Sequence, residues 1–277
     1  MAGRVEGKVA FITGAARGQG RSHAVRLAEE GADIVAVDLC GQVSSVPYEL
    51  GTSEDLAETV RQVEALDRRI VASHVDVRDF DALREAVDYG IRQLGRLDIV
   101  SANAGIISTE PTWQMAEQTW QDMIDINLTG VWHTTKAVIP HLIEAGHGGS
   151  IILTSSTAGQ KGVRNIAHYV AAKHGVVGLM RSLTLDLAPY GIRINSIHPT
   201  SVNTPLVLNE SMYRLFRPDL EQPTLEDSMD TFRALNVLPI PWVEAIDVSN
   251  AVLFLASDEA RYITGTELRV DAGHNAK

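Results

Sequence analysis

The sequence predicts an α/β protein: a doubly wound parallel sheet of about seven strands, helices on both faces, and a single domain over residues 1–277. Three observations predict it. Short runs rich in Val and Ile alternate with longer amphipathic segments along nearly the whole chain. A glycine-rich turn follows the first of those runs. No internal repeat, low-complexity tract or Pro/Gly-rich linker interrupts the series, so 277 residues, which by length alone allow one domain or two, need not divide.

The elements follow in order. Strands are expected at 8–12, 33–37, 70–76, 98–102, 150–154, 193–198 and 267–270, each a brief apolar run of the kind a sheet buried on both faces requires. Between them, helical periodicity marks 20–30, 54–68, 80–94, 113–144, 168–188 and 247–257. Strand, helix and strand in strict succession is the signature of crossover units and hence of a parallel sheet. Two segments break the alternation. Residues 39–53 carry Gly41, Pro47 and Gly51, and residues 204–244 carry five prolines, at 205, 218, 223, 239 and 241. Loops of that length are uncommon in a compact domain and tend to be functional or disordered.

Composition narrows the function. The chain is 45% hydrophobic and 21% charged, ordinary for a soluble globular protein. Its net charge of −11 has the wrong sign for binding along nucleic-acid phosphates. Cys40 is the single cysteine, so no intrachain disulfide can form. The opening residues Met1 to Glu6 lack the apolar core of a secretory leader, and no run approaches the ~20 apolar residues of a membrane span. A cytoplasmic location is expected. The nine histidines show no metal-ligand spacing, and no metal is expected.

Between the first strand and the first helix stand Thr13, Gly14, Ala15, Ala16, Arg17, Gly18, Gln19 and Gly20. Glycines here let the backbone turn tightly and approach a pyrophosphate at a helix N-terminus; otherwise they serve only the turn. Asp38 ends the second strand about 20 residues on, the context that makes this a dinucleotide fingerprint. Its carboxylate can accept from both adenosine ribose hydroxyls and would repel the extra phosphate of NADP, so NAD is favoured. Arg17 pulls the other way: it could pair with that phosphate, or be solvated. Asp76 and Val77 could flank the adenine, or Asp76 could simply cap the strand end.

Tyr169 and Lys173 are four residues apart in a helical segment, so both project from one face. A phenol is a poor base at neutral pH, and a nearby ammonium together with a positive nicotinamide would stabilise its phenolate. The pair can transfer protons. Ser156 lies thirteen residues upstream, past the fifth strand, on the edge where such sheets place ligands.

With these residues in place, the chain resembles the short-chain dehydrogenase/reductase family over essentially its full length. The glycine pattern matches Thr13, Gly14, Gly18 and Gly20; the Asn-Ala-Gly strand end matches Asn103, Ala104 and Gly105; the catalytic asparagine falls on Asn127. The family's serine, tyrosine and lysine fall on Ser156, Tyr169 and Lys173. The resemblance implies a Rossmann-type fold and a homotetramer, to which the terminal run Val270, Asp271, Ala272 and Gly273 would contribute. It also implies cofactor contacts at Leu39, Tyr169, Lys173, Pro199, Val202 and Thr204 beside the residues already named, Gln19 and Gly20 included. One departure stands out: the family's Pro-Gly after the sixth strand is Pro199-Thr200 here. That change and the 39–53 insertion resemble the mycofactocin-associated, carveol dehydrogenase-like subgroup. There the insertion is held to cover bound NAD so that electrons leave to the redox peptide mycofactocin; an ordinary surface insertion is the alternative.

The mechanism so implied has Ser156 donate a hydrogen bond to the substrate oxygen and Tyr169, as phenolate, accept the hydroxyl proton while hydride passes to the nicotinamide. Lys173 lowers the tyrosine pKa and holds the ribose, and Asn127 anchors a water leading to solvent. The family places its substrate lid at 204–244, where Leu206, Val207, Leu208, Met212, Tyr213, Leu215, Phe216, Phe232, Leu235 and Trp242 could line an apolar pocket or pack elsewhere. His168 could touch substrate or face solvent, and Arg214 and Arg217 are expected to be solvated. The expected substrate is a cyclic or terpenoid secondary alcohol or its ketone. A freely exchanging NAD(P)H-dependent carbonyl or 3-oxoacyl reductase is the alternative enzyme, and a non-catalytic nucleotide-binding regulator the more distant one.

Overall fold

Seven strands pair in parallel in the order β3-β2-β1-β4-β5-β6-β7. They are β1 (Val9–Thr13), β2 (Asp33–Asp38), β3 (Ile70–His74), β4 (Ile99–Ala102), β5 (Gly149–Thr154), β6 (Ile192–Pro199) and β7 (Glu267–Val270). The structure is a computed structural model that describes residues 3–277; Met1 and Ala2, part of the opening stretch read above for a leader, lie outside them. Successive residues of β1 point to opposite faces. Ala10 and Ile12 join an apolar layer with Ala24, Leu27, Val248 and Val252, while Val9 and Phe11 join a second with Leu83, Val138 and Met180. Both faces are covered, which is why the inner strands read as continuous apolar runs.

The first layer is supplied by α1 (Gly18–Glu29) and α9 (Ala245–Ala256), with α2 (Ser53–Glu64) beside α1; the second by α3 (Phe80–Leu94), α5 (Gly130–Ala145) and α6 (Ala167–Leu187). Local chemistry sets their ends. Asp79 caps α3 by accepting from the Ala82 N–H at 3.0 Å, and Gly95 closes it in a left-handed conformation at φ +89°. Among the described residues no helix is long and apolar enough to cross a membrane.

Several expected boundaries move. The third strand stops at His74, because Val75 bonds back to Asp38 and Asp76 turns to hold Arg78. Ser53 is not the end of the insertion but the first residue of α2, which is capped by a reciprocal Thr52–Asp55 pair and stops at Glu64 rather than 68. The expected helix 113–144 divides. Trp113 stands in a turn, and α4 (Glu117–Ile124) passes into α5 through a π-helical turn at Asp125–Thr129. Residues 204–244 are not merely a proline-broken loop, since they contain α7 (Glu210–Phe216) and α8 (Leu225–Leu235). Pro218 and Pro223 separate these two helices and Pro239 and Pro241 follow them, so none of this segment's prolines interrupts a helix interior.

Candidate active site

The strand order reverses between β1 and β4, and the sheet opens there beyond the strands' carboxyl ends. Thr13 Oγ1 accepts from the N–H groups of Asn103 and Ala104 at 3.0 and 3.1 Å, and Asn103 Nδ2 donates to the carbonyls of Thr13 and Gly14. The fastening brings the glycine-rich turn against Asn103, Ala104 and Gly105. A Cβ at Gly14 would lie 2.8 Å from Ala104 Cα, and one at Gly20 1.9 Å from the Gly14 carbonyl oxygen, so neither position admits a side chain. Gly14 and Gly18 also hold left-handed φ values of +67° and +56°.

At this turn α1 begins with no side-chain cap and no acidic residue in its first turn. Its first N–H groups are therefore left for an anion. Gln19 Oε1 is buried without a hydrogen-bond partner. Asp38 Oδ2 accepts from the Ala16 N–H at 2.9 Å and Oδ1 from the Cys40 N–H at 3.1 Å, which fixes the carboxylate and leaves each oxygen a further lone pair. An uncapped helix start offers N–H donors to a dinucleotide's pyrophosphate, and an aimed carboxylate offers acceptors to its ribose hydroxyls.

These residues line a crevice of about 930 Å³. Gly14, Arg17, Gly18, Gln19, Asp38, Leu39, Asp76, Val77, Asn103, Ala104, Gly105 and Thr204 are all on its wall. Gly20 is beneath it, packed on Gly14. Arg17 neither faces a phosphate position alone nor is simply solvated, because its guanidinium donates to the Glu49 carbonyl of the insertion. Asp76 accepts from the Arg78 N–H at 2.9 Å and pairs with its guanidinium at 2.6 Å. Burial works to raise its pKa, and the Arg78 contacts outweigh burial and hold it below the usual range.

The insertion is an ordered strap. Gln42 Nε2 donates to the carbonyls of Val46 and Tyr48, and its Oε1 accepts from the Leu50 N–H. Val43 and Val46 are buried against Val77, Ile106, Met123 and Ile126, and Ser45 donates to Asp122 at 2.7 Å. Tyr48 Oη accepts from the Ile107 N–H at 3.1 Å. Tyr48 and Tyr169 both pack on this apolar cluster and on the one formed by Ile107, Ala158, Ile166 and Met212.

A second cleft, of about 1450 Å³, shares Gln19, Asn103, Gly105, Thr204 and Leu206 with the first. Ser156, Tyr169, Lys173, Pro199 and Val202 line it, so the expected proton-transfer group stands where the two clefts meet. Tyr169 is half-buried in the first turn of α6. Burial pushes its hydroxyl pKa up, and a hydrogen bond with the Ser156 side chain pulls it back. Lys173 is 3% exposed, and burial lowers its pKa to about 8. Its Nζ donates to the Thr154 carbonyl at 2.8 Å and lies 5.6 Å from the Tyr169 ring centre.

Asn127 is in the π-helical turn. Its Oδ1 accepts from the Ile106 N–H and its Nδ2 donates to the Ile106 carbonyl, both at 2.8 Å. The asparagine side chain is thus committed to fastening α4–α5 to the end of β4, not to holding a water. Such π-bulges recur at functional sites. His168 neither touches solvent nor faces the cleft: it is buried, 2.9 Å from Ser108 Oγ.

Leu206, Val207, Met212, Leu215, Phe216 and Leu235 of the lid segment line the second cleft. Phe232 and Trp242 instead form the lid's own core, with Phe232 4.7 Å from Phe216 and 5.8 Å from Trp242 between ring centres. Leu208 and Tyr213 are not on the wall. Arg214 meets only Glu210, and Arg217 forks onto Asp219 and donates to the Asp227 carbonyl. Among the described residues no three His, Cys, Asp or Glu side chains gather to hold a metal.

Two contributors, Tyr48 and His198, carry no sequence signal of their own, and a third, Thr200, is marked only as a departure from the family's pattern. Tyr48 reaches Ile107 across 59 positions. His198, inside β6, donates from Nδ1 to the Ser156 carbonyl at 2.9 Å, which leaves Nε2 to accept from Ser196 Oγ at 2.8 Å. Thr200, in place of the family's glycine, donates to Asn236 Oδ1 at 3.0 Å and contacts His274 Nδ1 at 3.3 Å, tying the end of α8 to the C-terminal segment.

Comparison with known proteins agrees with this geometry. The sequence model of the short chain dehydrogenase family matches residues 8–212. A (−)-trans-carveol dehydrogenase from Rhodococcus erythropolis is 58% identical over 275 residues, covering 99% of each chain. A trans-4-hydroxycyclohexanecarboxylate dehydrogenase from Sinomonas cyclohexanicum is 36% identical, covering 99% of this chain and 95% of its own. The crystal structure of a carveol dehydrogenase from Mycobacterium avium in complex with NAD matches with a TM-score of 0.97 at 59% identity, covering 99% of this chain and all 100% of its own.

Proposed function

The chain belongs to the short-chain dehydrogenase family, in its carveol dehydrogenase-like subgroup, and from that premise we propose that it oxidises a hydrophobic ring-borne secondary alcohol with NAD and, in reverse, reduces the ketone. The observation that carries the reading is the junction of the two clefts. Ser156, Tyr169 and Lys173 converge there, with the crevice of the glycine-rich turn and Asp38 on one side and the lid-lined cleft on the other. Asp38 supports NAD over NADP, since an added phosphate would meet a carboxylate already fixed by two backbone N–H groups. Relatives named for carveol and for 4-hydroxycyclohexanecarboxylate support a ring alcohol as substrate.

When bound, NAD supplies the hydride acceptor at its nicotinamide. The chain's own residues do the rest. Ser156 Oγ donates a hydrogen bond to the substrate oxygen and orients the carbinol. Tyr169 takes the hydroxyl proton, its phenolate stabilised by the Lys173 ammonium. One Lys173 proton is spent on the Thr154 carbonyl, leaving two for the nicotinamide ribose and for proton exchange. The Asn127 side chain, held by Ile106, fastens the π-helical turn beside this group. His198 steadies Ser156 from behind.

The strap over Asp38 and Leu39 supports a tightly retained NAD, reoxidised in place by mycofactocin. The reading is completed by a cytoplasmic homotetramer. The test is turnover of a cyclic secondary alcohol by protein purified without added cofactor. Oxidation that requires an artificial electron acceptor and no added NAD is the expected outcome. Oxidation of NADPH by a ketone or 3-oxoacyl substrate, with free cofactor exchange, would overturn it.

A further inference from the structure

The chain has five lysines, and three of them, Lys161, Lys173 and Lys277, line the substrate cleft. Asp and Glu together number 35, and not one lines it. In a chain of net charge −11 the cleft is thus a cationic enclave within an acidic molecule. Lys173 belongs to the proton-transfer group, but Lys161 and Lys277 have no part in it. Lys161 follows Ser156 by five positions along the cleft wall, and its Nζ donates to the His274 carbonyl at 3.0 Å. Lys277 approaches from the C-terminal segment, its Nζ donating to the Ala234 carbonyl at 2.7 Å. His274 and Ala234 are themselves on the cleft wall.

Lys8 is the only lysine in an ion pair among the described residues, so neither Lys161 nor Lys277 has a carboxylate in direct contact. The acidic group that acts on Lys161 is Asp271, whose oxygens accept from the Gly273 and Asn275 N–H groups. Burial and the neighbouring Lys277 both act against the charge of Lys161. Two unpaired ammoniums, each with two protons still free, are favourable beside an apolar cleft when an anion joins them there.

We propose that the cleft selects a ring alcohol that also carries a carboxylate, with the hydroxyl at Tyr169 and the carboxylate between Lys161 and Lys277. The apolar wall of Leu206, Met212, Leu215 and Phe216 takes the ring. The inference rests on the ring-alcohol reading above and sharpens its substrate class.

Calorimetry of the NAD-loaded protein with unreactive cyclohexanecarboxylate and its uncharged carboxamide tests it without turnover. The acid is expected to bind about tenfold more tightly than the amide. That ratio is expected to collapse in Lys161→Gln/Lys277→Gln and to return in Lys161→Arg/Lys277→Arg, which shows that loss of charge rather than loss of fold is responsible. Equal binding of acid and amide, or a ratio indifferent to the glutamine variant, overturns the inference. Rates with the corresponding hydroxy acid and hydroxy amide separate the two readings. Oxidation of both without preference removes the carboxylate site and leaves the alcohol dehydrogenase. Tight carboxylate binding with oxidation of neither removes the dehydrogenase and leaves the anion site.

Discussion

The cofactor crevice and the substrate cleft share a floor at Gln19, Asn103, Gly105, Thr204 and Leu206, yet they are roofed by different means. Over the crevice lies a strap seated by buried Val43 and Val46 and tied to the body by polar bonds, Arg17 to Glu49, Ser45 to Asp122 and Tyr48 to Ile107, with Gln42 stitching the strap to itself. Over the cleft lie α7 and α8, which have capped ends and an aromatic core of Phe216, Phe232 and Trp242. A roof bonded to the wall suits one fixed ligand. A roof with its own core can change its inner face without disturbing the sheet, and so suits a substrate that differs between relatives.

The strongest way to break this division is at the seam. In Tyr169→Phe, turnover is expected to fall by about 10²–10⁴-fold, the usual worth of a positioned acid–base group, while bound nucleotide is retained. Steady-state rates and nucleotide content on the same preparation check it; loss of both together would mean that the two clefts do not function separately. Next comes the lid core. Phe232 is fully buried, and Phe232→Ala is expected to cost about 3–5 kcal/mol of local stability. Urea unfolding reads the stability, the substrate KM is expected to rise, and nucleotide dissociation should stay as it was.

The reciprocal change is smaller. Gln42→Ala removes the bonds to Val46, Tyr48 and Leu50, and at roughly 1 kcal/mol each their loss is expected to speed NAD release by about tenfold or more. Stopped-flow nucleotide displacement measures it, and an equal effect on the alcohol KM would contradict the division. The last prediction concerns Lys173, which both clefts share. Burial lowers its pKa to about 8 from 10.5, so between those values the unfolded chain holds the extra proton. Its contribution therefore makes the free protein more stable as pH rises through that window, and adds no slope below it. Comparing urea midpoints of the protein and of Lys173→Met across the window checks the sign.

The legible parts of the molecule are those whose cause is local. The inner strands of a sheet covered on both faces are apolar throughout and stand out for that reason; the edge strands β3 and β7 are mixed and partly exposed, yet all seven lie within two residues of expectation at every end. Tyr169 and Lys173 are visible because one helical turn joins them. The division of 113–144 is not, because its cause is the bond between Asn127 and Ile106, which lie 21 positions apart. Helix α8 was hidden behind its prolines, although Thr224 and Asp227 form the same capping pair as Thr52 and Asp55. Arg17 reads in sequence as a phosphate ligand or a solvated side chain, because its partner, the Glu49 carbonyl, lies 32 positions away. The cationic cleft is likewise invisible along the chain, since Lys161 and Lys277 meet only when the C-terminal segment folds across Thr200.

The central claim is that Asp38 and the strap above it hold NAD. Denaturing protein that was purified and dialysed without added cofactor, and identifying the nucleotide released, tests it most directly. One NAD per chain, with no NADP, is the predicted result. Release of NADP, or of no nucleotide from protein that then exchanges NAD freely, would contradict it.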